Sequence, residues 1–219
     1  MRRPPIVWTI VVGGGSGQRF GRPKQYEMVG GERIIDRSQR VAAQVSAGVV
    51  VVVPAEDAER EAAVAGGATR SESVRAGLAE VPDECDVICI HDAARPLASV
   101  DLFRSVIDAI VPGVDGAVPG VPVSDTIKIV DGSGAVVTTP ERSTLVAVQT
   151  PQAFRATALR AAHRGAAEGT DDASLVEAAG GRIVVVPGEP ANRKVTQPDD
   201  LAWLRSAIMA VGPNPSTEE

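Results

Sequence analysis

The chain has 219 residues, 44% of them apolar, which is enough for one large α/β domain with a sizeable core. Its 22 basic against 28 acidic residues leave a net charge of −6, which argues against a general nucleic-acid or anionic-membrane surface and requires any phosphate site to be local. Arg2 and Arg3 precede an apolar run, but Pro4 and Pro5 interrupt it and glycines end it after Val12, so no membrane span or cleavage site follows and a cytoplasmic protein is expected.

Ile6 to Val12 has the continuous apolar pattern of a strand covered on both faces. It runs into Gly13 to Tyr26, GGGSGQRFGRPKQY, where residues without Cβ let backbone N–H groups approach an anion. This is not a Walker loop, because the glycines lead into Gln18 and Arg19 rather than Gly-Lys-Ser/Thr. Nor is it a dinucleotide fingerprint, whose third glycine would fall on Gln18 or Phe20. The second strand, Val49 to Val53, ends in Pro54 and offers no acidic residue to a ribose. A glycine loop carrying its own cations, Arg19, Arg22 and Lys24, suits a nucleotide triphosphate better. Only Lys24, Lys128 and Lys194 are lysine in a chain that otherwise uses arginine, which points to sites needing a compact ammonium, chance being the plain alternative.

Ile34 to Ala47 predicts an amphipathic helix through Ile34, Ile35, Val41 and Val45, and with Val49 to Val53 completes a strand–helix–strand unit of a parallel sheet. A helix and a short strand are expected between Pro54 and Gly67. Thr69-Arg70-Ser71-Glu72 has capping-box spacing ahead of a helical face of Val74, Leu78 and Val81. Cys85 and Cys89 lack a second ligand pair and are expected as buried, reduced thiols. Val87 to Ile90 is a buried strand ending in His91-Asp92-Ala93-Ala94-Arg95-Pro96, and ligands of open α/β sheets bind beyond the carboxyl ends of such strands. An Asp92 to Arg95 salt bridge closing the turn is the structural alternative, and a lone His91 there reads as a structural donor.

Ser99 is placed to cap a helix carrying Leu102, Val106, Ile107 and Ile110. Short strands are then expected at Gly116 to Val121, Thr126 to Val130 and Ala135 to Thr138, with turns at Asp131-Gly132 and Ser133-Gly134. Such a projecting hairpin exposes edges that need a cover, commonly a second copy of the chain, and Lys128 serves equally to keep an edge soluble. Arg155 to Glu168 predicts a helix, as does Ala173 to Ala179 behind a Thr or Asp cap in Thr170-Asp171-Asp172. Ile183 to Val186 is a late strand, and Leu201, Leu204 and Ile208 mark a last helix. Residues 1–212 are read as one domain, with the β-arm at about 120–145, and 213–219 as a disordered tail. No second catalytic domain is expected after residue 212.

GGGSGQRF with PKQY, then HDAARP (His91 to Pro96), TPQAF (Thr150 to Phe154) and NRKVTQPDDL (Asn192 to Leu201), resemble in order the 2-C-methyl-D-erythritol 4-phosphate cytidylyltransferases of the non-mevalonate isoprenoid pathway. Four ordered motifs are far more specific than a glycine loop alone. The resemblance implies an α/β, Rossmann-like nucleotidyltransferase three-layer sandwich with a mostly parallel sheet and a projecting β-arm exchanged in a homodimer. It also implies magnesium-dependent transfer of CMP from CTP to a sugar-alcohol phosphate, with release of pyrophosphate. The metal's ligands would be mostly phosphate oxygens and water, so no protein metal ligand is assigned.

By the same resemblance Gly13, Gly14, Gly15, Gly17, Gly67, Arg70, Ser73, Asp92 and Ala93 bind the nucleotide. Arg19, Lys24, Lys194 and an Arg142 donated across the dimer are catalytic. Asp92, Arg95, Asp125, Thr126 and Thr170 hold the acceptor. Plainer readings stand beside these: Ser73 as a first-turn residue, Arg142 as a solvated hairpin arginine, Thr170 as a cap. Ala68 stands where the family usually has aspartate, and Gly13 and Gly14 replace its usual alanines, implying a loop more mobile when empty. The chain has no evident Ser–His–Asp set, histidine cluster or paired carboxylates, and the implied reaction needs none, since an ionised phosphate monoester attacking an α-phosphorus requires positioning and charge neutralisation. A related cytidylyltransferase acting on another polyol phosphate, such as ribitol 5-phosphate, and a non-catalytic nucleotide binder are the competing readings. HDAARP with TPQAF weighs against the first, and retention of both Lys24 and Lys194 against the second.

Overall fold

The computed structural model describes residues 3–15, 20–21, 23–165 and 168–211. Gly17 and Arg19 of the glycine loop and the expected tail at 213–219 lie outside them. Strand β1 (Val7–Val12) is followed by a 3₁₀ turn at Lys24–Tyr26 and a small hairpin, β2 (Met28–Val29) and β3 (Glu32–Arg33). Gly30 and Gly31 form its two-residue turn with φ of 61° and 83°, which L side chains rarely adopt. Then come α1 (Ile34–Ala43), β4 (Gly48–Val53), β5 (Val64–Ala65), α2 (Arg70–Ala79), β6 (Val87–Asp92), α3 (Val100–Asp108) and β7 (Gly116–Pro122). The arm holds β8 (Ile129–Val130) and β9 (Val136–Thr138), and the chain returns through β10 (Val146–Val148) and β11 (Gln152–Arg155). It finishes with α4 (Ala156–Ala162), α5 (Asp172–Ala178), β12 (Ile183–Pro187) and α6 (Asp200–Val211).

The central sheet runs β10-β7-β11-β6-β1-β4-β5, with β12 also on β7. Pairings of β1 with β4 and β6, β4 with β5 and β7 with β12 are parallel; β10 and β11 run antiparallel to their neighbours. Alternation along the strands divides the core between two faces. Ile10, Ile88, Ile90 and Phe154 pack with Val74 and Leu78 of α2, Leu159 of α4 and Val176 of α5. Val11, Val87, Cys89 and Ala153 pack with Ile35 of α1 and Phe103 and Val106 of α3. The result is the expected three-layer, mostly parallel α/β fold. A smaller cluster ties Val29 and Ile34 to Leu201 and Leu204 of α6.

The expected caps form: Thr69 in a full capping box, Ser99 on Leu102 N, and Asp171 rather than Thr170 at α5. Cys85 and Cys89 are free and buried, and burial pushes the Cys89 thiol up to about 12. Other boundaries differ from the sequence reading. Helix α1 ends at Ala43, because Gln44 and Val45 close the last turn and the Ala47 N–H docks on the Val7 carbonyl at 2.8 Å. Between Pro54 and Gly67 the expected short strand forms as β5, but in place of the expected helix there is a 3₁₀ turn at Ala55–Asp57; Asp57 accepts from the Tyr26 hydroxyl and pairs with Arg60, and Ala62 turns the chain with φ of 48°. The arm strands are shorter than expected: β8 begins only at Ile129, and β9 loses Ala135, whose N–H Asp131 gathers into the turn together with that of Ser133. Arg155 belongs to β11, so the helix expected over Arg155 to Glu168 is only α4. No helix among the described residues is long and apolar enough to cross a membrane.

Candidate active site

Strands β1 and β6 end level, Val12 pairing with Asp92. The Gly13 N–H donates to the Val52 carbonyl at 2.7 Å and the Ala93 N–H to Val12 at 3.0 Å, which locks three strand ends side by side. Over them lies a pocket of about 830 Å³. Of the residues singled out from sequence it is lined by Gly13, Gly14, Gly15, Lys24, Gly67, Arg70, Ser73, Asp92, Ala93 and Lys194; Phe20, Gln25, Ala68 and Thr196 also reach it. The site is at the carboxyl edge of the sheet, where open α/β folds bind ligands.

Close packing bears on two of these glycines. A Cβ on Gly13 would lie 3.0 Å from Ile35 Cδ1 and one on Gly14 3.0 Å from Ser73 Oγ, whereas Gly15 faces open space. The Ser73 hydroxyl returns to the Thr69 carbonyl at 3.0 Å, so its first-turn role and its place in the pocket coexist.

Charge is concentrated around Asp92. Lys194 Nζ lies 2.6 Å from its Oδ2, and Arg70 Nε and Nη2 each lie 3.4 Å from its Oδ1. Burial alone would raise the Asp92 pKa, but Lys194 and then Arg70 hold the carboxyl well below the usual carboxylate range. Lys194 is steered by bonds on either side of it: Val195 N donates to Ala94 O at 2.8 Å, and the Asn192 side-chain Nδ2 donates to Thr150 O at 2.8 Å. Arg95 does not form the salt bridge with Asp92 that the turn allowed; its Nη1 donates to the Asn192 carbonyl at 2.8 Å, and it braces that segment. Among the described residues no group of three or more His, Cys, Asp or Glu side chains could hold a metal.

Sequence reasoning placed no role on Thr150, Asn192 or Asp172, because their partners are far along the chain. Thr150 Oγ accepts from the Asp92 N–H at 3.0 Å and lies 3.1 Å from His91 Nδ1. Complete burial pushes the His91 pKa down from 6.5 to about 4. The unfolded chain takes up this proton near pH 6.5 and the folded chain only near 4, so stability is full above that window and falls by about 3 kcal/mol as pH drops through it. Denaturation at about pH 7.5 and about pH 4.5 is expected to show this loss in the wild type and a smaller one in His91→Gln. Equal losses in the two would exclude His91 as the cause. Asp92, with its depressed pKa, adds a loss only at lower pH, through the ordinary carboxylate range and below.

Asp125, Thr126, Arg142 and Thr170 are exposed and do not line the pocket of their own chain. Arg142 Nη1 donates to the Ser124 carbonyl at 2.8 Å, within the arm. The arm leaves Ile129, Val130, Val136 and Val137 49–65% exposed, a run of apolar surface with no cover from its own chain.

Residues 7–210 match the sequence model of IspD, 2-C-methyl-D-erythritol 4-phosphate cytidylyltransferase. A protein of that name from Rhodococcus jostii is 44% identical over 218 residues, covering 93% of this chain and 95% of its own. A bifunctional enzyme IspD/IspF from Oleidesulfovibrio alaskensis is 44% identical over 208 residues, covering 93% of this chain and 50% of its own, so the chain spans about half the length of such bifunctional relatives. The crystal structure of the 2-C-methyl-D-erythritol 4-phosphate cytidylyltransferase from Thermus thermophilus superposes with a TM-score of 0.76 at 32% identity, covering 91% of this chain and 98% of that one. With its motifs gathered at one pocket and its sequence matched along nearly its whole length, the chain belongs to the 2-C-methyl-D-erythritol 4-phosphate cytidylyltransferase family.

Proposed function

We propose that the protein transfers CMP from CTP to 2-C-methyl-D-erythritol 4-phosphate, giving 4-diphosphocytidyl-2-C-methyl-D-erythritol and pyrophosphate. The observation that carries this reading is the convergence of Lys24, Arg70, Asp92 and Lys194 with the glycine loop in one pocket of an otherwise acidic chain. The acceptor phosphate is ionised at neutral pH, so its oxygen needs no general base to attack the α-phosphorus; the P–O bond to pyrophosphate breaks as the new one forms. The obstacle is repulsion between polyanions. Backbone N–H groups of the glycine loop, Arg19 and Lys24 hold the triphosphate and the charge that develops on it, while Lys194 draws in the acceptor phosphate. Ser73, Gly67 and Ala93 hold the base and ribose. Asp92, Arg95, Thr126 and Thr170 hold the acceptor, with Asp125 beside Thr126.

The Asp92 carboxylate at the strand end of the pocket fits a magnesium ion held otherwise by phosphate oxygens and water, and the ion would neutralise phosphate charge. Arg142 and the arm act in a homodimer, reaching the neighbouring subunit's pocket; the arm's uncovered valines and isoleucines support that exchange. Residues 1–212 serve as one cytidylyltransferase unit in the cytoplasm.

Pyrophosphate release is the test, with CTP and magnesium and either 2-C-methyl-D-erythritol 4-phosphate or ribitol 5-phosphate as acceptor. Turnover with the first and little with the second is expected. Preference for ribitol 5-phosphate would reassign the acceptor, and release with neither would overturn the reading.

A further inference from the structure

A chain of paired polar side chains starts in the pocket at half-buried Lys194 and Arg70 and ends outside it in a buried carboxylate and imidazole. Beyond Lys194, Asp92 and Arg70 it continues from Arg70 Nη1 to Asp172 Oδ2 at 2.7 Å, and from Asp172 Oδ1 to His163 Nε2 at 2.9 Å. The side chains of His163 and Asp172 are 2% and 1% exposed and do not line the pocket. His163 follows the last residue of α4, Asp172 and Arg70 are the first residues of α5 and α2, and Asp92 is the last of β6. Since a carboxylate oxygen only accepts, the imidazole donates through Nε2. Nothing in the proposed reaction uses Asp172 or His163, yet a carboxylate this deep is tolerated only because both its oxygens are paired.

We infer that Asp172, oriented by His163, is a positioning residue that anchors Arg70 and sets how far its guanidinium stands from Asp92. The contacts themselves carry this: the bond to Asp172 is short, and both contacts to Asp92 are long. Without the anchor, Arg70 would close on Asp92 as a two-pronged pair and leave the nucleotide side of the pocket. The inference rests on the reading of this pocket as the CTP site.

The test is Asp172→Asn, which keeps the shape and removes the charge. Calorimetry is expected to show CTP binding about tenfold weaker. The direction discriminates, because removing a negative charge beside a triphosphate site without moving Arg70 would tighten CTP. In an Arg70→Gln background the same change should alter CTP affinity by less than about twofold. His163→Ala should follow Asp172→Asn, and His163→Gln, whose amide can take the Nε2 position, should restore binding. CTP affinity unchanged or tighter in Asp172→Asn, or effects of Asp172→Asn and Arg70→Gln that multiply, would overturn the inference. If Asp172→Asn does not accumulate as folded protein, equal CTP affinity in His163→Ala and wild type overturns it. Wild type that binds CTP and releases no pyrophosphate would sink the cytidylyltransferase reading instead, and the affinities would still decide the role of Asp172.

Discussion

Lys194→Ala is expected to lower turnover by about a hundredfold or more while leaving a folded protein. Its ammonium sits 2.6 Å from Asp92 Oδ2 and is 37% exposed, so solvent screening keeps the stability loss near about 1 kcal/mol. The loss in rate is larger because a preorganised cation is worth most where charge accumulates during reaction. Lys194→Arg should remain impaired: a planar fork of five donors pairs side-on with Asp92 and does not replace a compact ammonium that can leave it. Pyrophosphate release and thermal melting of both variants check this. Near-normal turnover in Lys194→Ala would remove Lys194 from the chemistry, and full rescue by arginine would dismiss the argument from scarce lysines.

Subunit mixing should give the second large effect. Homodimers of Arg142→Ala and of Lys194→Ala are each expected to be nearly inactive. In a dimer carrying one of each, one pocket holds its own Lys194 and receives Arg142 from the Lys194→Ala partner, while the other pocket lacks both. Random reassociation of equal amounts makes half the dimers mixed, and with one intact site in two, about a quarter of wild-type activity should return. Activity that stays at the level of the separate variants would mean that Arg142 serves its own chain or neither.

Much of the fold is legible in the sequence because its strands are continuous β-branched runs and its caps are local. Thr69 with Glu72, and Ser99 with Leu102, are chosen by residues three apart, so spacing alone finds them. What spacing cannot find is anything decided at a distance. Asp57 leaves an expected helix for the Tyr26 hydroxyl, and β10 and β11 are short pieces that become strands only against β7 and β6. The site divides in the same way. Glycines, Lys24, Asp92 and Lys194 stand inside motifs and meet at one pocket. Asp172, Thr150 and Asn192 act on partners 102, 58 and 42 residues away, and no window of sequence contains both ends of such a bond.

The bracing of the segment 192–195 against residues 91–96 and 149–150 has a consequence for biosynthesis. The ammonium of Lys194 leaves the ribosome more than a hundred residues after the carboxylate it meets. A nascent chain can lay down most of the sheet while the pocket still lacks Lys194. The pocket is complete only once this segment has emerged, and fragments released before it are left without its cation.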